Sequence, residues 1–208
     1  TLIENTSTQN CNLILVGDLS KAETASAQWR DLAARMATGS TVIFLSHLAF
    51  ARGKKPDQSA AWLPLAKKGR IYEFWDWLYH KECVAKPHAV FEGLQGRGLL
   101  DWYYYGPMLP HSLFDGQETP DEVIAAAFAT GYSTPGGYAS GILLGSYKFG
   151  TGRFIVNTFP ILDHIDDHPV ADRLLLNLIQ HTARMTNGSA SALPSDFNAL
   201  LKEVGYIE

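Results

Sequence analysis

The 208 residues are 46% hydrophobic and 18% charged, enough apolar material to bury a core and too little charge for a chain that stays disordered. Seventeen Lys and Arg stand against twenty-one Asp and Glu, a formal net charge of −4 with no basic run, so the electrostatic footprint of a nucleic-acid binder is missing. No apolar run approaches the roughly 18 residues of a membrane span, and Cys11 and Cys83 have neither C-x-x-C nor metal-ligand spacing,.

One full-sized domain is the expectation for this length. The chain opens on Thr1 rather than Met, so the expectation is a chain either processed or cut from a longer polypeptide. Residues 12–46 form the first unit. Leu13-Ile14-Leu15-Val16, closed by Gly17-Asp18, predicts a buried strand,. Ser20-Lys21-Ala22-Glu23 has the form of a capping box, which predicts a helix start,. Ala25, Trp29, Leu32, Ala33 and Met36 follow at spacings of three and four and share one helix face,. Gly39 suits the C-cap, and the β-branched run Thr41-Val42-Ile43-Phe44-Leu45 predicts a second strand,. Strand, helix and strand in this order predict a parallel βαβ unit.

Residues 51–64, with Gly53 and Pro56 among lysines, read as an exposed excursion,. Residues 72–80, which include Trp75, Asp76 and Trp77, are aromatic without a decisive period and are expected to be half buried. A second aromatic cluster, Leu99-Leu100-Asp101-Trp102-Tyr103-Tyr104-Tyr105-Gly106, has β-propensity throughout,. Thr119-Pro120-Asp121-Glu122 predicts a helix start, supported by the alanines at 125–127,. Residues 141–147 and 154–159 are strand-like around Gly150-Thr151-Gly152, which predicts a hairpin,. Ala171, Leu174, Leu175, Leu178 and Ile179 place a wide apolar stripe on a helix over residues 170–184,. A Ser/Ala/Gly linker at 187–192 leads to a short docking helix over 196–204, so the division is a domain over 1–186 and a linker with a docking helix over 187–208,.

Three segments in this order, His88-Ala89-Val90-Phe91-Glu92-Gly93-Leu94, Tyr147-Lys148-Phe149-Gly150-Thr151-Gly152-Arg153 and the run from His168-Pro169-Val170 to Leu178-Ile179, resemble a known superfamily. They are similar to the flavodoxin-like domains of the class I glutamine amidotransferases, in the ThuA-like and β-galactosidase-trimerisation-like branch attached to family 2-like glycoside hydrolases. The resemblance covers roughly residues 12–184. It implies an α/β fold of three layers, flavodoxin-like, with a mainly parallel sheet and an antiparallel hairpin. It also prefers a strand over residues 120–129, and its first strand has no counterpart after Thr1. An amidotransferase of this superfamily carries a cysteine on a G-x-C-x-G elbow with a later H-x-E pair. Neither Cys11 nor Cys83 has flanking glycines, so glutaminase activity is expected to be absent.

His47 follows a strand end, where α/β folds place ligands, although Leu45-Ser46-His47 lacks a nucleophile elbow,. Glu73 with Asp76, Glu92 and Asp101 are carboxylates of the kind glycoside hydrolysis needs in pairs, set against ordinary solvated roles,. No catalytic residue is assigned; Glu73, Asp101 and His47 are the side chains to watch. The run Asp163-His164-Ile165-Asp166-Asp167-His168 is metal-competent by type, yet neighbours on one loop cannot all converge on one ion, so helix-start electrostatics is the reading, with no metal or cofactor expected,. Trp75, Asp76, Trp77, Trp102, Tyr103 and Tyr104 form the expected contact surface, for a partner module or a stacked sugar ring,. The resemblance implies a non-catalytic accessory or oligomerisation domain of a carbohydrate-active enzyme, of the β-galactosidase type. Its partner is then the catalytic module of the same parent chain or another subunit, with a saccharide as further ligand. The alternatives are a stand-alone ThuA-like sugar-processing hydrolase and a carbohydrate-binding module.

Overall fold

The computed structural model describes residues 12–17, 26–55, 57–73, 81–130, 138–185 and 191–208. The opening unit is β1 (Leu13–Val16), α1 (Ser26–Ala37) and β2 (Thr41–Phe44), with β1 parallel to β2 from the pair Leu13 and Thr41 onward. Trp29, Ala33, Met36 and Ala37 are buried as the helical spacing predicts, and Gly39 takes φ 117° where α1 ends,. Ser20 and Glu23 lie outside the described residues. β1 is terminal in the described sheet and lies at the margin of the cores, so Leu15 is exposed instead of buried.

On its other edge β2 pairs in parallel with β10 (Gly152–Asn157), which forms the expected hairpin with β9 (Tyr138–Phe149). A Cβ at Gly152 would collide with the carbonyls of Ser40 and Met36, so the hairpin turn seats directly on the α1–β2 connection,. The other strands are β3 (Asp57–Ser59), β4 (Arg70–Glu73), β5 (Lys81–Ala85), β6 (Gly98–Leu99), β7 (Ser112–Asp115) and β8 (Glu122–Thr130). The sheet runs β1-β2-β10-β9-β7-β4-β3, with β8 joining β9 to β5 and β6 lying on β5. Among the described residues parallel pairing is confined to β1–β2–β10. The sheet is therefore mixed, not mainly parallel, because the later strands pair with neighbours running the opposite way,.

Three local expectations change. Where Pro120 and the alanines predict a helix, the chain forms β8: Ala125 and Ala127 are buried between β5 and β9. Two ladders of backbone bonds outweigh a helix preference whose alanines would have buried almost nothing. The excursion at 51–64 contains β3 and turns Ala60 and Leu63 fully inward. Beyond Leu99 the second aromatic cluster becomes the helical turn α2 (Trp102–Tyr105).

Strand alternation divides the side chains between two cores. Val42 and Phe44 of β2, with Phe154 and Val156 of β10, face α1 and α5 (Phe197–Glu203). Ile43, Leu45 and Ile155 face the opposite core, built with α3 (Ile161–His164) and α4 (Pro169–Met185). Helices thus cover both faces, a three-layer α/β arrangement. In the first core Trp29 stacks on Phe44 and Trp62 at centroid distances of 5.8 and 5.6 Å. Its buried Nε1 has no hydrogen-bond partner, and the rings of Phe50 and Tyr206 pack beside it in tilted contacts. Phe197, Leu201, Val204 and Tyr206 of the C-terminal segment are buried in this core. Tyr206 donates to the Trp62 carbonyl at 2.6 Å, and Lys68 Nζ donates to the carbonyls of Ala61 and Val204 at 2.8 and 2.7 Å. Burial pulls the Lys68 ammonium down to about 8,.

Candidate functional site

Four aromatic residues in a row read as a strand, but the residue before them decides otherwise. Asp101 has extended backbone angles, and its Oδ1 accepts from the Tyr103 amide at 2.6 Å, so it caps a helical turn,. Tyr105, at the inward position of that turn, is fully buried and donates its hydroxyl to the Gln95 carbonyl. With Tyr105 as anchor, its neighbours point outward. Trp102 is 56% exposed, Tyr103 98% and Tyr104 41%, and Leu99 next to them is 59% exposed. Side chains of this size held in this way leave apolar area in water,.

Behind this turn lie two adjoining clefts. One, of about 360 Å³, is bounded by Tyr104, His168, Arg173, Gly93 and Leu94. The other, of about 420 Å³, shares Gly93 and Leu94 and extends along Pro87, His88, Phe91 and Arg97. The loop over residues 87–97 is thus the common wall. It is fixed to α4 by Asn177, whose Nδ2 donates to the carbonyls of Val90 and Glu92 at 2.9 and 2.8 Å, and by Arg173 Nε, which donates to Glu92 at 3.0 Å. His168 Nδ1 accepts from the Val170 amide at 3.3 Å and so caps the start of α4.

The loop is also tied to β8 and α4 through side chains. His88, Glu122 and His181 have one donor atom each within 4.8 Å of the others, the one such His/Cys/Asp/Glu group among the described residues. His88 Nε2 faces Glu122 Oε1 at 3.5 Å, and the His88 and His181 rings meet edge to face at 4.5 Å. Two histidines and a carboxylate form a zinc-like donor set by type. His88 does not fit that role. Its Nδ1 accepts from the Val90 amide at 3.2 Å, capping the short 3₁₀ turn Ala89–Phe91, so in the neutral ring Nε2 carries the proton and donates toward Glu122. A cation at Nε2 would have to displace that proton while Nδ1 still accepted a hydrogen bond, which leaves an imidazolate. The group is a polar cluster built on the His88–Glu122 pair, with the His181 ring packed against His88.

Burial holds both histidines below their ordinary range, with Glu122 opposing it in each case,. Below pH about 6.5 the unfolded chain therefore binds protons that the folded chain refuses, and stability falls as the pH drops from there through the depressed folded values. Thermal unfolding between pH 7.5 and 5 is expected to show a steeper loss of Tm in the wild type than in a His88→Asn/His181→Gln double variant.

Of the residues singled out from the sequence, the structure gathers Asp101, Trp102, Tyr103 and Tyr104 on one turn. Trp75, Asp76 and Trp77 lie outside the described residues. Glu73 ends β4 opposite Ser112, with its Oε1 accepting from Lys55 Nζ at 3.2 Å. His47 opens a 3₁₀ turn capped by the Ser46 hydroxyl, which accepts from Leu48 N at 3.2 Å. Neither Glu73, Asp101 nor His47 belongs to the His88 group. In the 163–168 run His168, rather than Asp167, caps the helix, and Asp172 Oδ1 accepts from Asp166 N at 3.0 Å. Cys83 is buried within β5. The sequence reading overlooks the His88–Glu122–His181 group. One signal for it exists: His181 follows Leu174 and Leu178 at the spacing of the buried stripe, an imidazole placed where an apolar side chain belongs,. No family model matches the chain, and no curated protein matches it.

Proposed function

We propose that this chain is a non-catalytic accessory domain of a carbohydrate-active enzyme that docks through the Leu99–Trp102–Tyr103–Tyr104 face onto another subunit or the catalytic module of its parent chain. The assignment to the ThuA-like, flavodoxin-like branch rests on the three segments around His88, Gly150 and His168; three layers of α/β structure are compatible with it. The docking reading rests on one observation, the outward presentation of Trp102 and Tyr103 on a turn capped by Asp101 and anchored by Tyr105. An anchored aromatic face loses little side-chain freedom when covered, which favours its use in an interface. A non-catalytic role agrees with the side chains themselves: the Asp101 carboxylate serves as a helix cap and Glu73 is ion-paired to Lys55.

Sedimentation of the 208-residue chain tests this, with a second copy as the partner. Association is expected to rise with concentration and to blue-shift tryptophan emission. Trp102→Ala/Tyr103→Ala is expected to abolish it while changing stability by only about 0.5 kcal/mol per site, as exposed substitutions do. Association unchanged in that variant would refute the docking face, and glycoside turnover lost in Asp101→Asn or Glu73→Gln would refute the non-catalytic role. One observation favours a second reading, a saccharide site: Tyr104 borders the 360 Å³ cleft together with His168 and Arg173, a ring face beside polar donors. Amide shifts at Gly93, Leu94 and Tyr104 on titration with oligosaccharides would support it.

A further inference from the structure

We propose that His88, Glu122 and His181 form a proton-operated latch that holds residues 87–97 against β8 and α4 at neutral pH and releases them, with the clefts they wall, on acidification. Three elements contribute one group each: the loop gives His88, β8 gives Glu122 and α4 gives His181. At neutral pH both nitrogens of His88 are engaged, Nδ1 by the Val90 amide and Nε2 by Glu122. A proton arriving at His88 has only Nδ1 to bind. There it sets one N–H against another, and the turn at Ala89–Phe91 loses its cap. A proton arriving at His181 makes an imidazolium that competes for the same Glu122 carboxylate, so His88 loses its hold on β8. The two rings meet edge to face and titrate as a pair,.

The charges facing the pair come from every neighbouring element. Glu122 on β8 favours the protonated form, whereas Lys86 on the loop, Arg153 on β10 and Arg184 on α4 oppose it. Burial outweighs the one carboxylate and, with these cations, holds the pair below the ordinary histidine range,. The loop's other ties include the Asn177 and Arg173 bonds to Val90 and Glu92 and the Tyr105 bond to Gln95, none of which involves a histidine. Release is therefore a loosening of the loop at its His88 end, and it reaches the Tyr104 cleft through the shared Gly93 and Leu94.

Amide hydrogen exchange of the ¹⁵N-labelled full chain, corrected for intrinsic chemistry, tests the latch. Between about pH 7.5 and pH 5 the opening constant of residues 90–94 is expected to rise about tenfold. His88→Asn keeps a strong capping acceptor for the Val90 amide but cannot titrate, so its opening constant should be flat over that range. Glu122→Gln removes the group that favours proton uptake and should move the opening to lower pH; this result decides the matter if His88→Asn fails to fold. Imidazole ¹⁵N shifts at neutral pH should place the His88 proton on Nε2. A wild-type opening constant indifferent to pH, or a His88→Asn variant with the wild-type slope, would overturn the proposal. So would stoichiometric Zn²⁺ binding at pH 7.5 that His181→Gln abolishes.

Discussion

Replacing Asn157 with leucine is expected to lower the unfolding free energy by ~3–5 kcal/mol, among the largest effects a single substitution in this chain can have. Asn157 ends β10 and is fully buried. Its Nδ2 donates to the carbonyls of Leu45 and Phe159 at 3.0 and 2.8 Å, and its Oδ1 accepts from the Phe159 amide at 3.1 Å. One side chain thus satisfies three backbone groups where β2 and β10 end side by side. Leucine keeps the branched heavy-atom skeleton of asparagine, with bulkier methyl groups in place of the amide oxygen and nitrogen, so no cavity arises. What remains is the Leu45 carbonyl and the Phe159 amide stranded out of water, each at a cost of about 1–3 kcal/mol, while the Phe159 carbonyl keeps the Ile161 amide at 2.7 Å,. Asn157→Asp separates the polar from the packing effect: shape is kept, but acceptor now faces acceptor at Leu45 and Phe159. Both variants should unfold at lower urea with an unchanged m-value. An Asn157→Asp variant as stable as the wild type would show that the two donated bonds contribute nothing.

How much of this was legible in the sequence depends on whether the deciding interaction was local. The βαβ unit was readable because Trp29, Ala33 and Met36 repeat at helical spacing beside uninterrupted apolar runs, and burial follows that repeat directly. The β9–β10 hairpin and α4 were readable for the same reason. β8 was not, since Pro120, Asp121 and three alanines carry genuine helix signals, and only the presence of β5 and β9 on either side reverses them,. For α2, propensity alone pointed to a strand; Asp101 as a cap was the overlooked local cue. The exposed aromatic surface was legible by composition, although which ring turns inward, Tyr105, needed the helical turn. Positions 88, 122 and 181 have no spacing that could announce their meeting. Convergence from a loop, a strand and a helix is a property of the sheet order alone.

Asn177→Leu is expected to destabilise the fold by ~2–4 kcal/mol and to free the wall of both clefts. Asn177 sits on the inward side of α4, 3% exposed, one helical turn before His181. Its two donated bonds are what hold the carbonyls of Val90 and Glu92 to that helix. Leucine cannot replace them, and the buried Val90 carbonyl is left without its donor,. The loss is not symmetrical between the two carbonyls. Glu92 keeps Arg173 Nε at 3.0 Å, so the strain concentrates at Val90, the residue whose amide depends on His88. The comparison is Arg173→Ala, which removes one exposed donor while Asn177 still serves Glu92, and is expected to cost no more than about 1 kcal/mol. Exchange of the 90–94 amides should therefore quicken strongly in Asn177→Leu and barely in Arg173→Ala. If the two variants behave alike, Asn177 is not the tie between α4 and the loop, and the clefts are held open by packing of Val90 and Phe91 alone.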